Sequence, residues 1–150
     1  MKKCYIMRGL PGSGKDTWIK SNLLRQTDEG EMPAVCSADT FHMKDSKYLF
    51  VKEKQAEAHN WCLKEFNRLL WAGCPEIVVN NTNIRTYEIA PYYRLAEAFG
   101  YEVEIIHVLA DPEVCKKRNV HGVPPETIDA MFKGLEAIPP WWKVRVVMSS

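Results

Sequence analysis

Short continuous apolar runs alternate along this chain with longer segments in which apolar residues recur at helical spacing. Continuous runs are typical of strands buried on both faces, and they occur at residues 3–8, 34–37, 76–80, 102–109 and 143–148. Between them, the spacing predicts helices at residues 18–24, 51–72, 87–99, 111–119 and 126–135. Strands that alternate with helices predict a three-layer α/β fold, with a five-stranded parallel sheet flanked by helices.

Glycine, proline and capping residues mark the ends of these predicted elements. Gly73 fits the C-cap of the longest helix, and Gly100 closes the helix after it. Thr86 is the predicted N-cap of that second helix, which places Pro91 in its first turn.

The composition is that of a soluble globular protein, and we expect residues 1–150 to form a single domain. The net charge of +1 predicts no broad attraction to nucleic acid, so any such contact must come from a local patch. Five cysteines are scattered without C-x-x-C spacing, which indicates reduced, mostly buried thiols in a cytoplasmic protein. The N-terminal apolar run is too short for a signal peptide or a membrane span.

Residues 9–17 (GLPGSGKDT) lie between the first strand and the first helix, which is the context of a nucleotide phosphate-binding loop. The glycines let the backbone approach a polyphosphate, and the loop amides then form an anion nest at a helix N-terminus. Lys15 would reach the β- and γ-phosphates of ATP. The predicted phosphate-binding residues are Leu10, Pro11, Gly12, Ser13, Gly14, Lys15, Asp16 and Thr17.

Asp16 departs from the usual loop, in which a Ser or Thr hydroxyl binds Mg²⁺. A carboxylate is also a hard oxygen ligand, so Asp16 is the predicted metal residue. It adds negative charge beside the phosphates and should help only with the metal between them. Thr17 is a poor substitute, because the next residue of a helix points about 100° away. A loop that ends in G-K-D-T resembles that of phage-type deoxynucleoside monophosphate kinases.

Polar side chains follow the second and third predicted strands, at the edge where parallel α/β sheets bind ligands. Asp39 could take a proton from an attacking hydroxyl, or it could merely cap the next turn. Residues 81–85 (NTNIR) could orient a metal-bound water or an attacking hydroxyl, or form an Asn-rich turn into the next helix. Asn80 and Asn81 stand where an acid often closes this strand, which disfavours a motor ATPase and leaves kinase-type chemistry.

A basic segment follows the fourth strand. Lys116, Lys117 and Arg118 crowd the last turn of the predicted helix, where cations suit the helix dipole. Alternatively, residues 118–125 form a mobile basic lid that closes over ATP and stabilises transferred charge, with Arg118 as the best candidate.

Two aromatic segments allow two interpretations each. Residues 43–50 (MKDSKYLF) could bind a nucleotide substrate by stacking and charge, or Tyr48 and Phe50 could pin them to the core. Trp141 and Trp142 could pack on the sheet edge or form a stacking or partner surface.

Four segments occur in an order that resembles one known family: residues 8–15 (RGLPGSGK), 37–39 (SAD), 81–83 (NTN) and 118–124 (RNVHGVP). Together they look like the polynucleotide kinase-like P-loop family, and the resemblance extends from residue 4 to about residue 135. This family includes phage 5′-hydroxyl polynucleotide kinases, the kinase-like domain of NEDD4-binding protein 2, and phage kinases that phosphorylate hydroxymethyl-pyrimidines in DNA.

The resemblance implies a P-loop kinase fold, ATP and Mg²⁺ as cofactors, and a nucleic-acid substrate, with DNA favoured over RNA. It also implies a cytoplasmic enzyme, which could be encoded by a bacteriophage and act in the host, and it implies no membrane partner. By the same resemblance, Lys15 holds the ATP phosphates, Asp39 is the general base and Arg118 is a lid arginine, and these are the predicted catalytic residues. The predicted substrate-binding residues are His42, Asn83, Arg85 and His121.

Departures from the family pattern leave the acceptor open. His42 stands where phage end-healing kinases carry an acceptor-binding Arg, and His121 or Gly122 where they carry a second lid Arg. Asn81 stands where they have Asp. The acceptor is then a 5′-hydroxyl end or the hydroxymethyl group of a modified pyrimidine such as 5-hydroxymethyluracil in phage DNA. Two alternatives remain: a nucleoside or deoxynucleoside monophosphate kinase, and a nucleotide-binding switch without catalysis.

Overall fold

The computed structural model describes residues 1–25, 30, 32–44, 47–48, 52–119 and 122–149. Its strands are β1 (Lys3–Arg8), β2 (Ala34–Cys36), β3 (Met43–Lys44), β4 (Lys47–Tyr48), β5 (Glu76–Asn80), β6 (Glu102–Leu109) and β7 (Val144–Met148). Its α-helices are α1 (Lys15–Asn22), α2 (Ala38–Phe41), α3 (Gln55–Ala72), α4 (Thr86–Ala98), α5 (Pro112–Arg118) and α6 (Pro125–Gly134), and Lys52–Lys54 form one 3₁₀ turn.

Five strands form one parallel sheet in the order β2-β5-β1-β6-β7, which confirms the predicted α/β architecture. Strands β3 and β4 form a separate antiparallel pair of two residues each. The side chains of residues 43–50 lie outside the described part of the chain, so both interpretations of that segment stay predictions.

The two faces of the sheet are buried by different helices, as a parallel sheet requires. Helices α3 and α4 cover one face, where Phe66 of α3 packs edge-on against Tyr92 of α4 with ring centroids 5.0 Å apart. Helix α1 covers the other face through Ile19 and through Leu23, the residue at its C-cap. No helix in the described ranges is long and apolar enough to cross a membrane. The five cysteines are free thiols, and four of them are buried, as predicted.

Several element boundaries differ from the predicted ones because capping is decided by local geometry. Helix α1 begins at Lys15, inside the glycine loop, because Gly14 adopts a left-handed conformation at its N-cap. Helix α4 is capped by Arg85 rather than Thr86, and Pro91 lies in its second turn. Helix α3 begins at Gln55, four residues later than predicted for its start at residue 51.

The two tryptophans after α6 have separate environments. Trp142 is buried and stacks on Tyr93 of α4, with ring centroids 5.0 Å apart and an interplanar angle of 17°. Trp141 is 73% exposed. Core packing, one of the two predicted uses, therefore applies to Trp142, whereas Trp141 remains on the surface.

Candidate functional site

The phosphate-binding loop joins β1 to α1 at the carboxyl edge of the sheet. Gly12 and Gly14 have φ values of 82° and 104°, a left-handed region that favours glycine. A Cβ atom at Gly12 would overlap the carbonyl oxygen of Cys115 in α5, so the loop is held too closely for any side chain there. The amide of Ser13 donates to the carbonyl of Leu10 at 3.0 Å and closes the loop.

Lys15 folds back over this loop. Its Nζ atom donates to the carbonyl oxygens of Gly9 and Leu10, at 2.9 and 3.0 Å. Burial lowers the pKa of Lys15 to about 8, while the nearby carboxylates of Asp16 and Asp39 act in the opposite direction. The ammonium group is therefore largely charged at pH 7, and it has two carbonyl contacts that a phosphate oxygen could replace.

Asp16 lies at the start of α1, and its carboxylate accepts a hydrogen bond from Nδ2 of Asn80 at 2.6 Å. Asn80 is the last residue of β5, the strand beside β1. Its amide oxygen is buried without a hydrogen-bond partner. Because Nδ2 faces a carboxylate, the orientation of this amide is determined by charge.

Asp39 occupies the first turn of α2, directly after β2. The N-cap of α2 is Ser37, whose Oγ accepts from the Asp39 amide at 3.1 Å, so the alternative that Asp39 merely caps the turn is wrong. The Asp39 side chain is exposed, and its charge acts on the pKa of Lys15. Asp39 therefore lies within electrostatic range of the phosphate-binding lysine.

Asn81 holds the segment that carries Asp39. Its Oδ1 accepts from the amide of Ala38 at 2.9 Å, and its Nδ2 donates to Sγ of Cys62 at 3.6 Å. The side chain is buried, and it links β5, α2 and α3. The sequence placed Asn81 in a polar motif but gave no sign of this supporting role.

Arg118 reaches the loop from the end of α5. Its Nη1 donates to Ser149 Oγ at 2.6 Å and lies 3.8 Å from the position that a Cβ atom at Gly14 would occupy. Lys116 instead joins α5 to α6 through Asp129, with Nζ 2.9 Å from the carboxylate. At the basic end of α5, Lys116 thus joins two helices, whereas Arg118 lies beside Gly14 of the loop.

The segment predicted as a lid is described only in part, since Val120 and His121 lie outside the described residues. Asn119 donates its side-chain amide to the carbonyl of Val123, which links the two described sides of this segment. The predicted substrate contact of His121 stays a prediction.

Asn83 supports the fold in this structure, and its predicted substrate role stays a prediction. This side chain is 1% exposed, and its Nδ2 donates to the carbonyl of Met7 at 2.7 Å. Its φ of 51° turns the chain sharply after β5. The geometry makes Asn83 a support for the end of β1.

His42 and Arg85 also serve the fold in this structure. His42 is 5% exposed, and its Nε2 lies 2.7 Å from Oε1 of Gln55 at the start of α3. Arg85 caps α4 and lies 3.8 Å from the carboxylate of Glu136, on the surface. These contacts support the fold, and a substrate role for either residue stays a prediction.

Arg8 is an important site residue that the sequence reasoning did not assign. It is 3% exposed, and its guanidinium donates to the carbonyls of Asn83 at 2.9 Å, Ile84 at 2.8 Å and Glu136. Burial lowers its pKa, and the Glu136 carboxylate opposes that shift. A charged residue that ends a continuous apolar strand was the available signal. Arg8 fixes the segment after β5 and the chain after α6 to the base of the loop.

Metal binding at this edge depends on few protein groups. No cluster of three or more His, Cys, Asp or Glu side chains that could hold an ion occurs in the described ranges. Mg²⁺ usually keeps several waters and binds through one or two carboxylates plus substrate phosphates, so it requires no such cluster. The Asp16 carboxylate, steadied by Asn80 beside the phosphate loop, fits that ligand set.

Comparison with known proteins gives the family context. A family model described as an AAA domain matches residues 5–132 of this chain. NEDD4-binding protein 2 from Homo sapiens is 29% identical over 151 residues, which cover 97% of this chain and 8% of that protein. YLP motif-containing protein 1 from Rattus norvegicus is 29% identical over 156 residues, which cover 89% of this chain and 11% of that protein. The chain thus spans about a tenth of the length of these curated relatives.

Solved kinase structures share the fold. An unliganded sugar kinase from Janibacter sp. HTCC2649 matches with a TM-score of 0.65 and 21% identity over 99% of this chain and 86% of that one. The APS kinase CysC of Mycobacterium tuberculosis, in complex with AMPPNP and APS, matches with a TM-score of 0.61 and 18% identity over 98% and 88% of the two chains. A chain of the Pnkp1/Rnl/Hen1 RNA repair complex matches with a TM-score of 0.63 and 16% identity over 89% and 44%.

Proposed function

The chain belongs to the AAA domain family, and from its kinase-like fold we propose that it is an ATP-dependent kinase acting on a hydroxyl group of a nucleic acid. One observation carries the proposal: three side chains from separate parts of the chain surround one phosphate loop. Lys15 lies over the loop, Arg118 borders Gly14, and Asp39 is close enough to act on the charge of Lys15. A cation pair with one exposed acid is the set that phosphoryl transfer to a hydroxyl needs.

Each group has a defined task in this proposal. The loop amides and Lys15 hold the ATP phosphates, and Arg118 stabilises the charge that develops on the transferred group. Asp39 accepts the proton of the attacking hydroxyl, a contribution of about 10²–10⁴-fold in typical enzymes. Mg²⁺, held by Asp16 and the phosphates, would neutralise charge between the β- and γ-phosphates. Most of the acceleration then comes from positioning and charge neutralisation.

A nucleic-acid acceptor is supported by the order of the four motif segments and by two of the similar proteins. One is a chain of an RNA repair complex, and the other, NEDD4-binding protein 2, has a kinase-like domain in the family that these segments resemble. His42 takes the position of an end-binding arginine but is buried against Gln55. This favours a hydroxymethyl group on a pyrimidine base, preferably in DNA, over a 5′ end as the acceptor.

A small-molecule acceptor is the second candidate. The net charge of +1 offers no general attraction to a polyanion, and the G-K-D-T ending of the loop resembles that of phage-type deoxynucleoside monophosphate kinases. A nucleoside or deoxynucleoside monophosphate would be the acceptor in that case. A switch without catalysis is the third candidate, favoured by the amide of Asn80 where an acid often closes the strand.

Transfer of labelled γ-phosphate from ATP to a panel of acceptors tests the proposal. The panel contains 5′-hydroxyl DNA and RNA, end-blocked DNA with hydroxymethyluracil, the same end-blocked DNA with thymine, and free nucleosides and monophosphates. We expect label on the end-blocked modified DNA and none on its thymine control. Label on 5′ ends alone would identify an end-healing kinase. Label on small molecules alone would refute the nucleic-acid acceptor, and no label with ATP still bound would favour the switch.

A further inference from the structure

Two side chains at the base of the phosphate loop have exchanged chemical types. In P-loop nucleotide triphosphatases, Mg²⁺ is held by a Ser or Thr after the loop lysine together with an Asp near the end of a neighbouring strand. Here the position after Lys15 carries Asp16, and the neighbouring strand β5 ends in Asn80. The negative charge has therefore moved from the strand to the loop, while the total number of carboxylates in the pair is the same.

The contact between the exchanged residues is short and directional. Nδ2 of Asn80 donates to one carboxylate oxygen of Asp16 at 2.6 Å. Asn80 pairs with Met7 in the sheet, so it stands beside the strand from which the loop begins. Only a donor is compatible with this contact, since an aspartate at position 80 would place two carboxylates side by side and raise the pKa of one of them.

The other amide atom of Asn80 supports the same interpretation. Its Oδ1 is buried and has no hydrogen-bond partner. An unpartnered buried oxygen costs free energy, so Oδ1 does not stabilise this orientation of the Asn80 side chain. The polar contact of this side chain is therefore made by Nδ2 to one oxygen of the Asp16 carboxylate, which leaves the second oxygen for another ligand.

We propose that Asn80 is a positioning residue for the metal-binding carboxylate, and that Asp16 and Asn80 together replace the usual hydroxyl and acid. Asp16 supplies the charged oxygen to the Mg²⁺ that accompanies the nucleotide. Asn80 orients that carboxylate by its hydrogen bond and adds no charge of its own. The inference rests on the nucleotide binding contained in the proposed function, but it does not depend on any acceptor.

The exchange makes the two positions interdependent, which a set of four proteins can reveal. The native pair has one oriented carboxylate. D16S removes the carboxylate, and N80D sets two carboxylates against each other. The double variant D16S/N80D restores the usual arrangement, with a hydroxyl on the loop and an acid on the strand.

Titration calorimetry of ADP with and without Mg²⁺ measures this interdependence. The readout is the factor by which Mg²⁺ raises ADP affinity, and metal-free ADP affinity reports whether the loop is intact. We expect the factor to fall about 10–100-fold in D16S and in N80D, which is the range for lost metal-site partners, and to recover in the double variant. N80A, a smaller change, should also lower the factor while metal-free affinity changes less than about twofold. N60D, on the exposed side of α3, is the matched control and should leave the factor unchanged.

Three results would overturn the inference. The first is a native protein whose ADP affinity does not change with Mg²⁺. The second is a D16S variant in which Mg²⁺ raises ADP affinity by the native factor. The third is a double variant whose Mg²⁺ factor is no larger than that of D16S or N80D. Because the assay contains no acceptor, its outcome is separate from that of the transfer panel. A protein that shows the expected pattern but transfers no phosphate would refute the proposed kinase activity and leave the role of Asn80 in place.

Discussion

Replacement of Arg8 by methionine should destabilise the protein strongly, because its guanidinium holds two other segments of the chain to the end of β1. The guanidinium donates to three carbonyls, those of Asn83, Ile84 and Glu136, and methionine can satisfy none of them. The Ile84 carbonyl keeps the Glu136 amide as a donor at 3.1 Å, so the carbonyls of Asn83 and Glu136 are the ones left without a donor. A buried carbonyl without a donor costs about 1–3 kcal/mol. Removal of the buried charge offsets part of this cost. We therefore expect R8M to lose about 2–4 kcal/mol of unfolding free energy.

Urea unfolding of the native protein, R8M, R8K and R94M provides the measurement. Arg94 is exposed on α4, so R94M controls for the loss of an arginine and should change stability by less than about 0.5 kcal/mol. R8K should lie between R8M and native, because one ammonium group cannot span three carbonyls as a guanidinium fork does. A loss below about 1 kcal/mol in R8M would refute the argument, since the carbonyls of Asn83 and Glu136 would then have found other donors.

Three further predictions concern groups whose surroundings differ sharply. The pKa of Lys15 is about 8 in the folded protein, against an ordinary value of 10.5, so between these pH values the folded state binds fewer protons than the unfolded state. The unfolding free energy of the native protein, measured by urea titration relative to that of K15M, should therefore increase as the pH is raised from 8 to 10.5. Burial and the charges of Arg8 and Lys15 lower the pKa of His107 from 6.5 to about 4. The unfolding free energy should therefore decrease as the pH is lowered from 6.5 to 4, and this decrease should be smaller in H107Q. W142A should cost about 3–5 kcal/mol because the ring is buried on Tyr93, whereas W141A should cost less than about 0.5 kcal/mol, and equal melting temperatures for the two would contradict this.

The parallel sheet was predictable from sequence because strands buried on both faces must be apolar throughout. The ends of all five strands of the parallel sheet were predicted to within one residue of their ends in the structure. The start of α1 was missed because Gly14, which lacks helix propensity, caps the helix through a left-handed backbone conformation. Arg85 was missed as the cap of α4 because its backbone amide, rather than its side chain, makes the capping contact with Glu88 at 2.9 Å.

The candidate site was predictable where a residue type has few uses and unpredictable where it has many. A lysine after a glycine loop has one common role, and Lys15 lies where that role requires. Asparagine amides serve ligands and backbone equally well, so nothing in the sequence showed that Asn83 would hold Met7 or that Asn81 would hold Ala38. Long-range contacts of this kind depend on the fold and have no local sequence signature.

The most direct test of the kinase proposal compares phosphate transfer by the native protein with transfer by D39N, using whichever acceptor the panel identifies. E97Q, an exposed carboxylate change on α4, serves as the control. We predict that D39N transfers phosphate about 10²–10⁴-fold more slowly while its ADP affinity stays native, because only the proton acceptor is lost. Transfer by D39N at the native rate would contradict the assignment of Asp39 as the base.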